Sequence, residues 1–82
     1  MKVADMEIKE KIIHSLSLVL ECQITEASTK DNTITWDSLN HARILIELNE
    51  IFNIRIPFSH YESLTSVHEI IKYMSQFNHN IK

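Results

Sequence analysis

The 82-residue chain contains no glycine, one proline and one cysteine. Because glycine and proline supply most tight turns, their scarcity argues against a sheet-rich fold and favours helices. The single Cys22 cannot form an internal disulfide, which suits a reducing compartment. The sequence also lacks a cluster of lysine and arginine and carries a net charge of −3. Nucleic acid is therefore not an expected partner, and the composition predicts an all-α protein.

Long apolar runs are absent as well. No uninterrupted stretch approaches the roughly 20 residues that a helix needs to cross a bilayer, and the N-terminus lacks the apolar segment of a signal peptide. Hydrophobic residues still make up 44% of the chain, which is enough for one small core. These features predict a single cytoplasmic domain over residues 1–82 that is not inserted in a membrane. We expect its core over about 5–77 and a flexible tail at 78–82.

Apolar residues at helical spacing predict three main helices. The first covers residues 5–20, with Asp5 as its N-cap. The second covers residues 38–52 and is apolar around most of its circumference, so we expect it to lie centrally, with neighbours on several sides. The last helix begins with a capping-box pattern at Ser66 and runs to about residue 77.

Two connections join these helices. The first, residues 21–36, is long and polar, and we expect its apolar residues Ile24 and Ile34 to pin it to the core. The second contains another capping-box pattern at Ser59, which predicts a short helix over residues 59–63. Loops as long as the first connection are usually functional or mobile in a compact domain.

The stretch Trp36-Asp37-Ser38-Leu39 opens the second helix. Aspartate and serine cap helices because a short side-chain oxygen accepts from a free backbone N–H. Ser38 thus places a hydroxyl where the helix N-terminus favours an anion, such as a phosphate on that serine. Asp37 would repel this phosphate, so we expect Asp37 to be a cap, a metal-ion contact when a partner docks, or both. Judged on this short motif alone, a simple cap is the commoner role of Ser38.

Residues spread over nearly the whole chain match the pattern of one known family. They are Asp37-Ser38-Leu39, Phe52, Ile54-x-Ile56-Pro57, and Leu64-Thr65-Ser66-Val67 followed by Ile70, Ile71 and Tyr73. With these residues the chain resembles the acyl carrier protein family over about residues 8–76. The resemblance implies a small acyl-carrier-like bundle of three main helices plus one short helix, with a long loop after the first helix.

The resemblance also implies a function. Ser38 would be the attachment site of 4′-phosphopantetheine, flanked by Asp37 and Leu39. A separate phosphopantetheinyl transferase would take this group from coenzyme A with Mg²⁺. The thiol of the group would then carry acyl thioesters between acyl-loading and acyl-transfer or condensing enzymes of fatty-acid, other lipid or polyketide biosynthesis. Such a carrier is not an enzyme, because the cofactor supplies the chemistry and the protein supplies position.

Departures from the family pattern favour a specialised pathway. Trp36 stands near a position where many members have glycine, and Arg43 stands where glutamate is common. We expect Trp36 to be a packing anchor first and a recognition residue second. The five histidines are scattered, so we expect surface residues and no metal site. The residues expected to contact partners are Trp36, His41, Arg43, Glu47 and Glu50.

Other interpretations remain open from the sequence. The chain could carry aminoacyl groups, or it could be an unmodified carrier-like interaction domain. A small hydrolase using Ser38 is disfavoured, because the sequence ties no base to that residue and has no glycine-rich nucleophile elbow. We expect a monomer. If an acyl chain enters the bundle interior, we expect Ile46, Ile56 and Leu64 to line its pocket.

Overall fold

A computed structural model describes the backbone of residues 2–80 and the side chains of residues 7–76. The helices are α1 (Lys2–Leu20), α2 (Ser38–Phe52), a 3₁₀ helix (Phe58–Ser63) and α3 (Val67–Asn80). Within residues 2–80, the only extended pairing is one isolated antiparallel bridge between Thr29 and Ser66. The prediction of an all-α bundle with three main helices, one short helix and a long first loop is confirmed.

One hydrophobic core holds the bundle together. The buried hydrophobic residues are Ile8, Ile12, Leu16, Leu20, Ile24, Trp36, Ile44, Leu45, Leu48, Ile56, Leu64, Val67, Ile70 and Met74. Burying one such side chain contributes about 1.5–3 kcal/mol relative to leaving it exposed. Because helices of this length are marginal by themselves, the burial of these side chains is the main reason that the helices are stable. Helix α1 packs on both α2 and α3 and so joins them in one core.

Helix α2 is buried on one side only. Ile44, Leu45 and Leu48 are fully buried, whereas Leu39 and Ile46 remain 69% and 55% exposed. The prediction that α2 has neighbours on several sides is therefore wrong. An 82-residue bundle has too few elements to cover both sides of a helix, so one apolar stripe of α2 faces solvent.

The first loop is anchored by two residues, one of which differs from the prediction. Ile24 is buried, as expected, but Ile34 is 98% exposed and does not pin the loop. Trp36 takes that role at the end of the loop, where it is 2% exposed. A buried indole removes more apolar area from water than an isoleucine does. Because Trp36 already anchors this end of the loop, Ile34 is not needed as an anchor and is exposed.

Backbone hydrogen bonds and one ion pair also attach the first loop. The Lys30 N–H donates to the Thr65 carbonyl at 2.8 Å. Lys9 of α1 forms an ion pair with Glu26 of the loop. Hydrogen bonding and attraction to Glu26 raise the pKa of Lys9 above its ordinary 10.5. The contribution of this exposed pair is therefore present at neutral pH and is lost as the pH rises through that raised pKa.

Several predicted helix ends are corrected. α1 begins at Lys2, so Asp5 lies inside the helix and is not its N-cap. The backbone of residues 78–80 continues α3 as helix, while residues 81–82 lie outside the described part of the chain. Because alanine, methionine and lysine favour helix, the N-terminal residues extend α1 without a capping signal.

The two predicted capping boxes have different outcomes. The 3₁₀ helix has Pro57 at its N-cap position and no side-chain cap bond, so the prediction for Ser59 is wrong. The fixed φ of proline suits a helix start without such a bond. At α3 the Ser66 Oγ accepts from the Glu69 N–H at 3.1 Å, which confirms the capping role of Ser66.

Two helices end on left-handed residues although the chain has no glycine. Glu21 follows α1 with φ 55°, and Asn53 follows α2 with φ 56°. Asparagine adopts this conformation readily, whereas for glutamate the left-handed conformation costs about 1–2 kcal/mol of conformational free energy. The N–H of Asn53 donates to the Asn49 carbonyl, so this cap satisfies one of the free carbonyls at the end of α2.

Candidate functional site

The start of α2 presents one hydroxyl to solvent. Asp37 is the N-cap, with extended backbone, and its Oδ1 accepts from the Asn40 N–H at 2.9 Å. The Asn40 side chain in turn donates to the Thr35 carbonyl at 2.9 Å. Ser38 is the first residue of the helix and is exposed. Since Asp37 makes the cap bond, the hydroxyl of Ser38 is not needed for capping.

A buried network lies directly behind this hydroxyl. The indole Nε1–H of Trp36 donates to Nδ1 of His41 at 3.0 Å. Nε2 of His41 lies 2.8 Å from the carbonyl oxygen of Tyr61. Because Nδ1 accepts, we assign the imidazole proton to Nε2, which donates to the Tyr61 carbonyl, and the ring is neutral in this arrangement. The network connects the end of the first loop, α2 and the 3₁₀ helix.

The burial of Trp36 and His41 corrects two sequence-based expectations. His41 is 9% exposed, so it is not the surface residue that we predicted. Trp36 is 2% exposed, so its ring does not offer the exposed surface that we expected a partner to contact. The expectation that Trp36 is a packing anchor is confirmed. A sequence signal for His41 existed, because it precedes Ile44, Leu45 and Leu48 at helical spacing on the buried face of α2.

Replacing His41 with phenylalanine is expected to destabilise the fold by about 1–3 kcal/mol, because the Trp36 N–H and the Tyr61 carbonyl lose their partner. Urea unfolding followed by circular dichroism measures the change. His68→Phe, at an exposed position of α3, is the matched control and should stay within about 0.5 kcal/mol. Equal stability of the two variants would show that the network has no net effect.

One face of α2 remains open to partners. Its exposed side chains are Leu39, Arg43, Ile46, Glu47 and Glu50. Among the described side chains, the one ion pair within 4 Å joins Lys9 and Glu26, so the charges of this α2 face are unpaired. Arg43, Glu47 and Glu50 thus stay available for the partner contacts predicted for them.

A groove of about 330 Å³ opens beside Ser38. Its lining residues are Lys30, Ser38, His41, Ala42, Phe58, Tyr61, Glu62 and Thr65. The ring centroids of Phe58 and Tyr61 lie 4.9 Å apart and form an aromatic wall, and Phe58 is 81% exposed. The first loop, α2, the 3₁₀ helix and the turn before α3 therefore meet around the hydroxyl.

The groove differs from the predicted interior pocket. Ile46 is exposed and cannot line the bundle interior, so that part of the prediction is wrong. Ile56 and Leu64 are buried in the packed core and do not line the groove. The space next to Ser38 is instead a surface groove, and its apolar character comes from Phe58 and Tyr61.

The surroundings of Ser38 do not support a serine hydrolase. A serine nucleophile needs a base within hydrogen-bond reach, and in the described part of the chain Ser38 Oγ makes no side-chain hydrogen bond. His41 is the groove's imidazole, and both of its nitrogens are engaged with Trp36 and Tyr61.

The side chains of residues 7–76 also do not form a metal site. No group of three or more histidine, cysteine, aspartate and glutamate side chains lies close enough there to hold an ion. His14, His60 and His68 are exposed, as expected, and the side chain of His79 lies outside the described residues. Over the same described chain, no helix has the length and apolarity needed to span a bilayer.

Comparisons with known proteins agree with this geometry. No family model matches the chain. Over 76 residues it is 34% identical to the non-reducing polyketide synthase pkbA of Emericella nidulans, covering 88% of this chain and 3% of the synthase. A solved structure from Mycobacterium tuberculosis, provisionally described as an acyl carrier protein, superposes with TM-score 0.76 at 21% identity, covering 85% of this chain and 97% of that one. The chain therefore has the fold of an acyl carrier protein, as its sequence resemblance predicted.

Proposed function

We propose that this chain is a carrier protein whose Ser38 takes 4′-phosphopantetheine in phosphodiester linkage. The observation that supports this most directly is an exposed serine hydroxyl at the first position of α2, beside an open groove, in an acyl-carrier fold. When bound, the group supplies the thiol that holds acyl cargo as a thioester. Similarity to a segment of a polyketide synthase supports acyl intermediates of polyketide or related biosynthesis as that cargo.

The protein residues position the group and catalyse nothing themselves. Asp37 caps α2 and holds the backbone around Ser38, and Leu39, the residue after Ser38, is exposed in the same first turn. The exposed hydroxyl is accessible to a phosphopantetheinyl transferase, which would use Mg²⁺ in its own reaction. The described residues fit the group, because nothing packed on Ser38 would have to move for a phosphodiester to form there.

The groove suits the flexible arm. Its volume of about 330 Å³ lies at the small end of the roughly 300–1,000 Å³ that ligand pockets have. We infer that it takes the arm or a short acyl group, and that longer cargo extends over the exposed ring of Phe58.

Partner enzymes would dock on the open face of α2. Leu39 and Ile46 offer apolar contacts, and the unpaired charges of Arg43, Glu47 and Glu50 surround them. Mixed charges of this kind select partners by complementarity and steer association more than they add affinity. The expected partners are the transferase and acyl-loading, acyl-transfer or condensing enzymes, and we expect the carrier to act as a cytoplasmic monomer.

The test is intact mass spectrometry of the chain after incubation with coenzyme A, Mg²⁺ and a broad-specificity phosphopantetheinyl transferase. We expect the mass to rise by one phosphopantetheinyl group. No rise with several transferases, in a sample shown to be folded by circular dichroism, would favour the unmodified interaction domain. If the chain loads, the same reaction with acyl- and aminoacyl-coenzyme A donors prepares the corresponding thioester forms, and assaying these with partner enzymes identifies which thioesters the partners accept.

A further inference from the structure

We propose that Lys30 forms an ion pair with the phosphodiester on Ser38 and thereby sets the position of the first bonds of the arm. This inference rests on the carrier function proposed above. It assigns a positioning role to a loop residue that lies outside the Asp37-Ser38-Leu39 stretch.

The structure holds Lys30 beside the attachment site. Its backbone N–H donates to the Thr65 carbonyl at 2.8 Å, and the adjacent Thr29 forms the antiparallel bridge with Ser66. Lys30 is half-buried and lines the same groove as Ser38. A lysine on a loop fixed in this way loses less conformational freedom on pairing than one on a mobile loop.

Among the described residues that line the groove, Lys30 is the only cation. The groove contains one carboxylate, that of Glu62, and Asp37 adds a second next to Ser38. His41 contributes no positive charge, because its Nδ1 accepts from Trp36. A phosphodiester on Ser38 would therefore be close to two negative side chains and one positive side chain.

Among the described side chains no carboxylate competes with the phosphodiester for Lys30, and one backbone donor at the start of α2 is already occupied. The Asn40 N–H, which could otherwise bind a phosphate, already donates to Asp37. Lys30 has no carboxylate within 4 Å among the described side chains, where Lys9 and Glu26 form the one ion pair. An unpaired, half-buried ammonium is suited to a phosphate oxygen, which lysine binds as a compact point charge.

The test compares apo and phosphopantetheinylated forms of the native chain, Lys30→Gln and Lys72→Gln. Lys72 is an exposed lysine of α3 that does not line the groove, so it is the matched control. We expect all three to load. Loading should raise the melting temperature of the native chain and of Lys72→Gln by about 2–4 °C, as one partly screened ion pair would. This gain should be absent in Lys30→Gln.

A second readout is the ³¹P chemical shift of the phosphodiester, which a purely structural role of Lys30 would not change. We expect the shift to differ between Lys30→Gln and the native chain, and to move toward the Lys30→Gln value in 1 M salt, where charge pairs are screened. If all three chains load and neither readout separates Lys30→Gln from the control, the role of Lys30 is overturned while Ser38 remains the attachment site. If no chain loads, the carrier function itself fails and the pairing fails with it.

Discussion

Replacing Ser38 with alanine is expected to abolish phosphopantetheine attachment completely while leaving the fold intact. The Ser38 Oγ is the atom that would bond to phosphorus, and alanine has no equivalent. Because Ser38 is exposed and Asp37 makes the cap bond, the substitution removes no buried contact. We therefore expect a change in unfolding free energy within about 0.5 kcal/mol. Intact mass after transferase treatment measures the first effect, and thermal unfolding measures the second.

Ser59 supplies the matched control for this variant. It is exposed on the 3₁₀ helix and does not line the groove, so Ser59→Ala should load to completion. A mass gain in Ser38→Ala equal to that of the native chain would assign the attachment to a different hydroxyl. Loss of loading together with loss of helical circular dichroism would instead show that Ser38 is needed for folding.

Replacing Trp36 with alanine is expected to have the largest effect on stability. Truncating a buried large aromatic residue costs about 3–5 kcal/mol, and Nδ1 of His41 would also lose its hydrogen-bond donor. A domain of this length has a total stability of about 4–12 kcal/mol. We therefore expect the melting temperature of Trp36→Ala, followed by circular dichroism, to fall by at least about 12 °C, at about 4–8 °C per kcal/mol for a domain of this size.

Two variants separate the contributions of the indole. Trp36→Phe keeps most of the apolar volume but cannot donate to His41, so we expect an intermediate loss of about 1–3 kcal/mol. Ile34→Ala changes a residue that is 98% exposed in the same loop and should be nearly neutral. A melting temperature of Trp36→Ala close to that of Ile34→Ala would contradict the anchoring role of Trp36.

Much of the fold could be predicted from the sequence because the apolar spacing is regular. In α1 and α3 the buried hydrophobic residues lie at helical spacing. The boundaries of α2 are those predicted, since the Asp37 cap and the left-handed Asn53 define them locally. The burial pattern of α2 was not predictable from periodicity alone. Whether Ile46 is covered depends on how many elements surround α2, and this is a property of the whole bundle.

Some residues of the candidate site could also be predicted from the sequence, and others could not. Ser38 and Asp37 were found because helix capping is a local rule read from adjacent residues. The Trp36–His41–Tyr61 network and the groove shared by Lys30 and Ser38 could not be found, because they join residues from elements that only tertiary packing brings together. Ile34 was misjudged for a related reason, since an apolar loop residue is buried only if the core has room for it.

The most direct test of the account is tandem mass spectrometry of proteolytic peptides from the transferase-treated native chain. We expect one peptide to carry 4′-phosphopantetheine and its fragments to locate the group on Ser38. Location of the group on any other residue, or a folded chain that no transferase modifies, would contradict it.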